Sequence, residues 1–95
     1  MEDVDLARAL KKLRRTVLML QTELRHEHLD EVLLAEIESQ MEAGISTDAR
    51  GMHLRDQVDR LRENTLIPRS ELFADCIKAC ERLMDAIQAI MESLR

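Results

Sequence analysis

The feature that most constrains this chain is its scarcity of residues that end helices. The first glycine is Gly44, the second is Gly51, and Pro68 is the only proline. Glycine and proline interrupt regular helices more strongly than any other residues. The stretch before Gly44 therefore predicts one long helix, and the sequence after it has room for only a few further elements.

The composition indicates that these elements are helices. Phe73 is the only aromatic residue. Aromatic side chains are enriched in β-strands, so their scarcity argues against a sheet. Ala, Leu, Met, Glu and Arg, which favour helices, are abundant. We therefore predict an all-α single domain over residues 1–95, with three helices at about residues 3–43, 47–64 and 69–94.

The first predicted helix carries a leucine-rich stripe with alternating spacings of four and three residues, which is typical of a coiled-coil seam. A helix of about 40 residues would measure ~60 Å. A compact domain of this size is only ~32 Å across, so the helix must either bend sharply or project. We expect residues 1–25 to project as a coiled-coil-like arm from a helical core of residues 26–95. The stripe consists of Leu6, Leu10, Leu13, Val17, Leu20 and Leu24.

The apolar face of this helix changes after Leu24. A second stripe lies ~130–140° around the helix from the first, at 100° per residue. We expect it to join the chain's own core, beside a short surface helix and a central third helix with a wide apolar face. The second stripe consists of Leu33, Leu34, Ile37 and Met41.

Charge on the first helix is segregated, with basic residues in its first half and acidic residues in its second. An antiparallel partner helix would lay unlike charges together and bring Arg15 close to Glu27. We therefore predict an antiparallel homodimer with its axis near Leu20 and with the leucine-rich stripe, Arg15 and Glu27 at the interface. The alternative is that both charge runs are solvated faces. The basic run is Arg8, Lys11, Lys12, Arg14 and Arg15, and the acidic run extends from Glu23 to Glu42.

No arrangement of residues predicts catalysis, a metal or a cofactor, so we expect a protein that is not an enzyme. Cys76 and Cys80 lie one helical turn apart on an apolar stripe, which favours buried thiols over a zinc site that needs four ligands. His26 and His28 would point to nearly opposite sides of a helix. His28 falls on the extension of the leucine-rich stripe, where it would either make association pH-sensitive or be an ordinary half-exposed histidine.

These patterns indicate a small protein–protein interaction module, acting as a regulator or adaptor through helix–helix contacts. Its partners would be a second copy of itself and another helical protein. The net charge of −5 argues against nucleic-acid and membrane binding. The absence of an apolar span or signal peptide favours the cytoplasm. One alternative is a small, acidic, dimeric secretion or assembly chaperone that holds a helical client. Another is a nucleic-acid-linked regulator.

The stretch from Glu31 to Arg62 contains Glu-Val-Leu-Leu, Ala-Gly-Ile-Ser-Thr and Leu-Arg-Asp-Gln-Val-Asp-Arg-Leu. In its apolar spacing and its glycine it resembles the small helical biofilm and acid-resistance regulators of the YmgB/AriR type. The resemblance covers about a third of the chain and lacks that family's glutamate after the last leucine. It implies a small bacterial regulatory protein.

Overall fold

The computed structural model describes residues 1–94, which form four helices and no strand. Helix α1 spans Asp3–Arg25, α2 Glu31–Gln40, α3 Leu54–Leu66 and α4 Leu72–Ser93, and a π-helical turn, Met41–Ile45, follows α2 directly. The prediction of an all-α chain is confirmed. The prediction of three helices is wrong, because the first predicted helix is two.

The helices form an up-down-up-down bundle in which each packs against its neighbours in the order α1, α2, α3, α4 and back to α1. Gln21 of α1 contacts Ile77 of α4, while Val4 lies near Met91, so α1 and α4 are antiparallel. The molecule measures 41 × 19 × 19 Å. Helices α1 and α4 are each about 33–35 Å long and therefore match along the whole bundle.

The break between α1 and α2 is a tight turn without glycine or proline. Glu27 takes the left-handed conformation, with φ 57°, and Asp30 caps α2 by accepting hydrogen bonds from the backbone N–H groups of Val32 and Leu33 at 3.0 and 3.1 Å. A left-handed residue costs about 1–2 kcal/mol. Folding back buries the six side chains of the leucine-rich stripe, which stabilises the chain by on the order of 10 kcal/mol. The bent chain is therefore lower in free energy than a continuous rod.

The connection from α2 to α3 is longer than predicted. Gly44 has φ 139° inside the π-helical turn, a backbone conformation that glycine adopts readily. Residues 46–53 then form turns, and α3 begins at Leu54 rather than near residue 47. Gly51 is buried so closely against the Ile45 carbonyl that a Cβ there would lie 2.4 Å from the oxygen. This close approach holds the segment in a turn.

The prediction that residues 1–25 project from the core as an arm is wrong. Helix α1 instead supplies a large part of the core. Its leucine-rich stripe is 0–1% exposed and packs in one cluster with the buried faces of the other helices. Helix α4 contacts both α1 and α3, as its wide apolar face predicted. The rest of the buried apolar core is Leu33, Ile37, Met41, Ile45, Leu54, Val58, Leu61, Cys76, Cys80, Leu83, Met84 and Ile87.

Candidate interaction surfaces

The residues predicted to form an interchain seam lie inside the single chain. That prediction assumed that Leu6, Leu10, Leu13, Val17, Leu20 and Leu24 had no partner within the chain, whereas α4 and α2 cover them. The same stripe therefore is not a free surface in this fold. Arg15 is exposed on α1 and Glu27 is exposed in the turn that follows α1, and their predicted contact between two chains stays a prediction.

The two cysteines are free and buried, as predicted for core thiols. Burial raises the pKa of the Cys76 thiol above its usual value and raises that of Cys80 to about 12. A thiol of this kind is protonated at neutral pH and is therefore a poor nucleophile and metal ligand. Neither cysteine forms a candidate reactive site.

The histidines lie on the surface around the end of α1. His28 Nδ1 is 2.9 Å from Glu23 Oε2, and His26 Nδ1 is 2.8 Å from the Thr22 carbonyl oxygen. His28 is exposed and lies in the α1–α2 turn, so it does not continue the leucine-rich stripe. Within residues 1–94, no group of three or more His, Cys, Asp or Glu side chains is arranged to hold a metal ion.

Ion pairs tie the helices together on the α2–α3 side. Glu38 Oε1 accepts hydrogen bonds from Arg55 Nη2 at 2.5 Å and from Arg62 Nη1 at 2.9 Å. These bonds, chiefly the one from Arg55, hold the pKa of Glu38 below its ordinary value of 4.5 although partial burial opposes the shift. Arg55 also pairs with Asp59, at 2.7 Å. Glu38 thus fixes α2 against α3.

Two further arginines hold the connections between helices. Arg69 donates to Asp75 Oδ2 and to Asn64 Oδ1, which closes the turn between α3 and α4. Arg50 bonds Asp48 and reaches Asp3 at the start of α1. The bonds from Arg50 hold the pKa of Asp48 well below its usual range. These arginines are structural links rather than a free surface.

The outward side of α1 is a continuous basic surface. Residues 6–22 contain no Asp or Glu, and no acidic group lies within ion-pair distance of the five basic side chains in the described part of the chain. Leu18 and Met19 lie beside them and are 45% and 51% exposed. We call this surface the basic face, and it consists of Arg8, Lys11, Lys12, Arg14, Arg15, Leu18 and Met19.

The neighbouring helix has the opposite charge. The segment 31–45, which is α2 with its π-helical turn, contains four glutamates and no Lys or Arg. Glu38 is engaged with α3, and the other three are exposed. We call Glu31, Glu36 and Glu42 the acidic face. The two faces lie next to each other, because α1 and α2 pack as an antiparallel pair.

The end of the bundle where α3 meets α4 exposes apolar side chains. Leu66 and Ile67 are 75% and 63% exposed, and Pro68 beside them is exposed as well. Val32, at the start of α2, is 75% exposed at the same end of the bundle. Exposed apolar residues that lie together are typical of contact surfaces.

A groove of about 550 Å³ runs between α3 and α4 on the side away from α1 and α2. Its walls are Gln57, Arg60 and Asn64 from α3, and Asp75, Lys78, Ala79 and Arg82 from α4. Arg60, Lys78 and Arg82 are exposed. The sequence shows that Lys78 and Arg82 are four residues apart and therefore share one side of a helix. That Arg60 lines the same groove depends on how α3 packs against α4.

Comparisons with known proteins found no match for this chain. No protein-family model matches it, and neither the curated proteins nor the solved structures include a significant match. The resemblance of residues 31–62 to the YmgB/AriR regulators therefore receives no support. None of the helices in residues 1–94 combines the length and apolar character needed to cross a bilayer.

Proposed function

We propose that this chain is a non-enzymatic protein–protein interaction module that acts as a regulator or adaptor through helix–helix contacts. The observation that carries the proposal is the basic face of α1. It presents five unpaired cations around two exposed apolar side chains, on a chain whose net charge is −5. Exposed like charges at i,i+4, such as Lys11 and Arg15, weaken a helix slightly, and an acidic partner would relieve this repulsion.

The partner that the charges favour first is a second copy of the chain. A two-fold axis parallel to the bundle would place α1 of one copy over α2 of the other, so that each basic face meets an acidic face. An axis across the bundle would instead place like charges together. The long side of the molecule, 41 by 19 Å, offers about 780 Å², close to the ~800 Å² that each partner contributes to a standard interface. Another helical protein with an acidic face could replace one copy.

Sedimentation equilibrium of the full chain tests this proposal. We expect reversible dimers of the 11.0 kDa chain at micromolar concentration that weaken as salt is added. The double variant Lys11→Glu/Arg15→Glu should remain folded and monomeric. Its mixture with Glu36→Lys/Glu42→Lys should form heterodimers. A matched control, Arg60→Glu/Lys78→Glu, changes the charge equally on α3 and α4 and should still dimerise. A monomer at all accessible concentrations, or equal loss in the control, would reject self-association through this face.

The basic face also favours a second candidate, a nucleic-acid-linked regulator. Unpaired Lys and Arg side chains are the groups that bind phosphate backbones, and such binding weakens steeply with salt. A gel-shift assay with double-stranded DNA and with RNA at low salt distinguishes the candidates. Retardation that Lys11→Glu/Arg15→Glu abolishes would favour nucleic acid as the partner, and its absence at low salt would remove this candidate.

A further inference from the structure

The groove between α3 and α4 gathers cations that the fold does not use. Among the Lys and Arg side chains of residues 1–94 that lie outside the basic face, five form ion pairs with Asp or Glu. The other three are Arg60, Lys78 and Arg82, and all three line the groove. Outside the basic face, every Lys or Arg of residues 1–94 that has no carboxylate partner therefore lines this one groove.

Their arrangement costs stability in the absence of a ligand. Lys78 and Arg82 are one turn apart on α4, a like-charged i,i+4 pair, and Arg60 faces them from α3. Asp75 is the carboxylate in the groove wall, and Arg69 engages it at 3.0 Å. A bound anion would relieve the repulsion, and arginine and lysine on two sides suit the several oxygens of a phosphate.

We infer that this groove binds a small phosphate-bearing molecule. Arg60, Lys78 and Arg82, which all line the groove, hold the phosphate oxygens. The volume of about 550 Å³ falls within the range of about 300–1,000 Å³ that small-molecule sites occupy. This site is independent of the basic face and lies on other helices.

Titrations followed by NMR of the ¹⁵N-labelled full chain test the site, with pyrophosphate as one probe and ADP as the other. Both should give saturable shifts of backbone amides in residues 57–64 and 75–82. Arg60→Ala/Arg82→Ala should weaken both probes roughly tenfold or more.

The control is Arg25→Ala, which removes an exposed cation outside both the groove and the basic face and is compared with the single variant Arg60→Ala. Its affinity for both probes should equal that of the unaltered chain. Equal weakening by the control, shifts centred on α1, or no saturation up to millimolar probe would overturn the assignment. Arg60, Lys78 and Arg82 are exposed, so their replacement leaves the core intact, and an unchanged amide spectrum before titration checks this.

Discussion

Two leucines on the same helix provide the sharpest test of the fold. Leu20 is fully buried in the leucine-rich stripe, whereas Leu18 is 45% exposed on the basic face. Leu20→Ala removes three buried carbon atoms, which is worth about 2.4 kcal/mol in transfer free energy. The cavity raises the loss in free energy of unfolding to about 3–4 kcal/mol. Leu18→Ala should cost less than about 1 kcal/mol in the monomer, because half of that side chain is already in water.

Urea denaturation followed by far-UV circular dichroism measures both losses. With a slope of about 1.5 kcal/mol per M, Leu20→Ala should lower the midpoint by about 2–2.7 M, and its melting temperature should fall by roughly 12–32 °C. The measurement is made at low protein concentration, where self-association does not contribute, and again at high concentration.

The two variants should separate stability from association. The loss for Leu20→Ala should be independent of protein concentration, because its contacts lie within one chain. Leu18→Ala should weaken self-association instead. A loss below about 1 kcal/mol for Leu20→Ala, or a loss that appears only at concentrations where chains associate, would refute the burial of the stripe against α4.

Three further predictions concern the core and its links. Glu38→Gln should lower the free energy of unfolding at pH 7 by about 1 kcal/mol. Because the folded-state pKa of Glu38 is lowered, its ion pairs stabilise the chain above pH 4.5 and lose this effect as pH falls through the lowered pKa. Acid titration should therefore bring the two proteins to equal stability, and a constant difference down to acid pH would contradict the ion-pair origin. Gly51→Ala should lower the melting temperature by at least 4 °C, roughly 1 kcal/mol, because its Cβ would meet the Ile45 carbonyl 2.4 Å away, and an unchanged melting curve would contradict this close approach. Cys80 should resist iodoacetamide in the native chain and react in urea, as read by mass spectrometry, and rapid native alkylation would show that the thiol is not buried.

The sequence predicted the helical class and the core of the second half of the chain because apolar spacing reports directly on which face of a helix is buried. Leu33, Ile37 and Met41 of the second stripe are buried, Leu34 is half-buried, and the wide stripe of α4 does contact two helices. The positive φ of Gly44 was also predictable, since glycine alone adopts it without strain.

The break at residues 26–30 was not predicted because no residue there ends helices by itself. Glu27 takes a left-handed conformation that its side chain disfavours, and the energy that holds it comes from distant contacts between α1 and α4. The change of apolar face after Leu24 and the capping ability of Asp30 were the local signs of the turn. Because the turn was not predicted, the leucine-rich stripe was predicted to lie on an interchain surface, whereas it lies in the core.

The groove between α3 and α4 lay beyond sequence reasoning for a related reason. Lys78 and Arg82 can be placed on one side of a helix from their spacing, but the partner wall depends on which side of α3 faces α4. The sequence also does not show that Arg60 is unpaired, because Asp56 lies one helical turn before it and could form an ion pair. The structure shows that acidic side chains near Arg60 pair with other arginines instead.

The turn at Glu27 also determines whether the leucine-rich stripe packs against α4 of its own chain. If Glu27 returned to a helical conformation, α1 and α2 would merge into one rod and the stripe would leave α4. The vacated position would accept the identical stripe of a second chain, because every contact along it is the same. Exchange of α1 between two chains, a domain swap, is therefore related to the closed monomer through the backbone of one short hinge. The conformation of that hinge decides whether six leucine-type side chains stabilise one chain or join two.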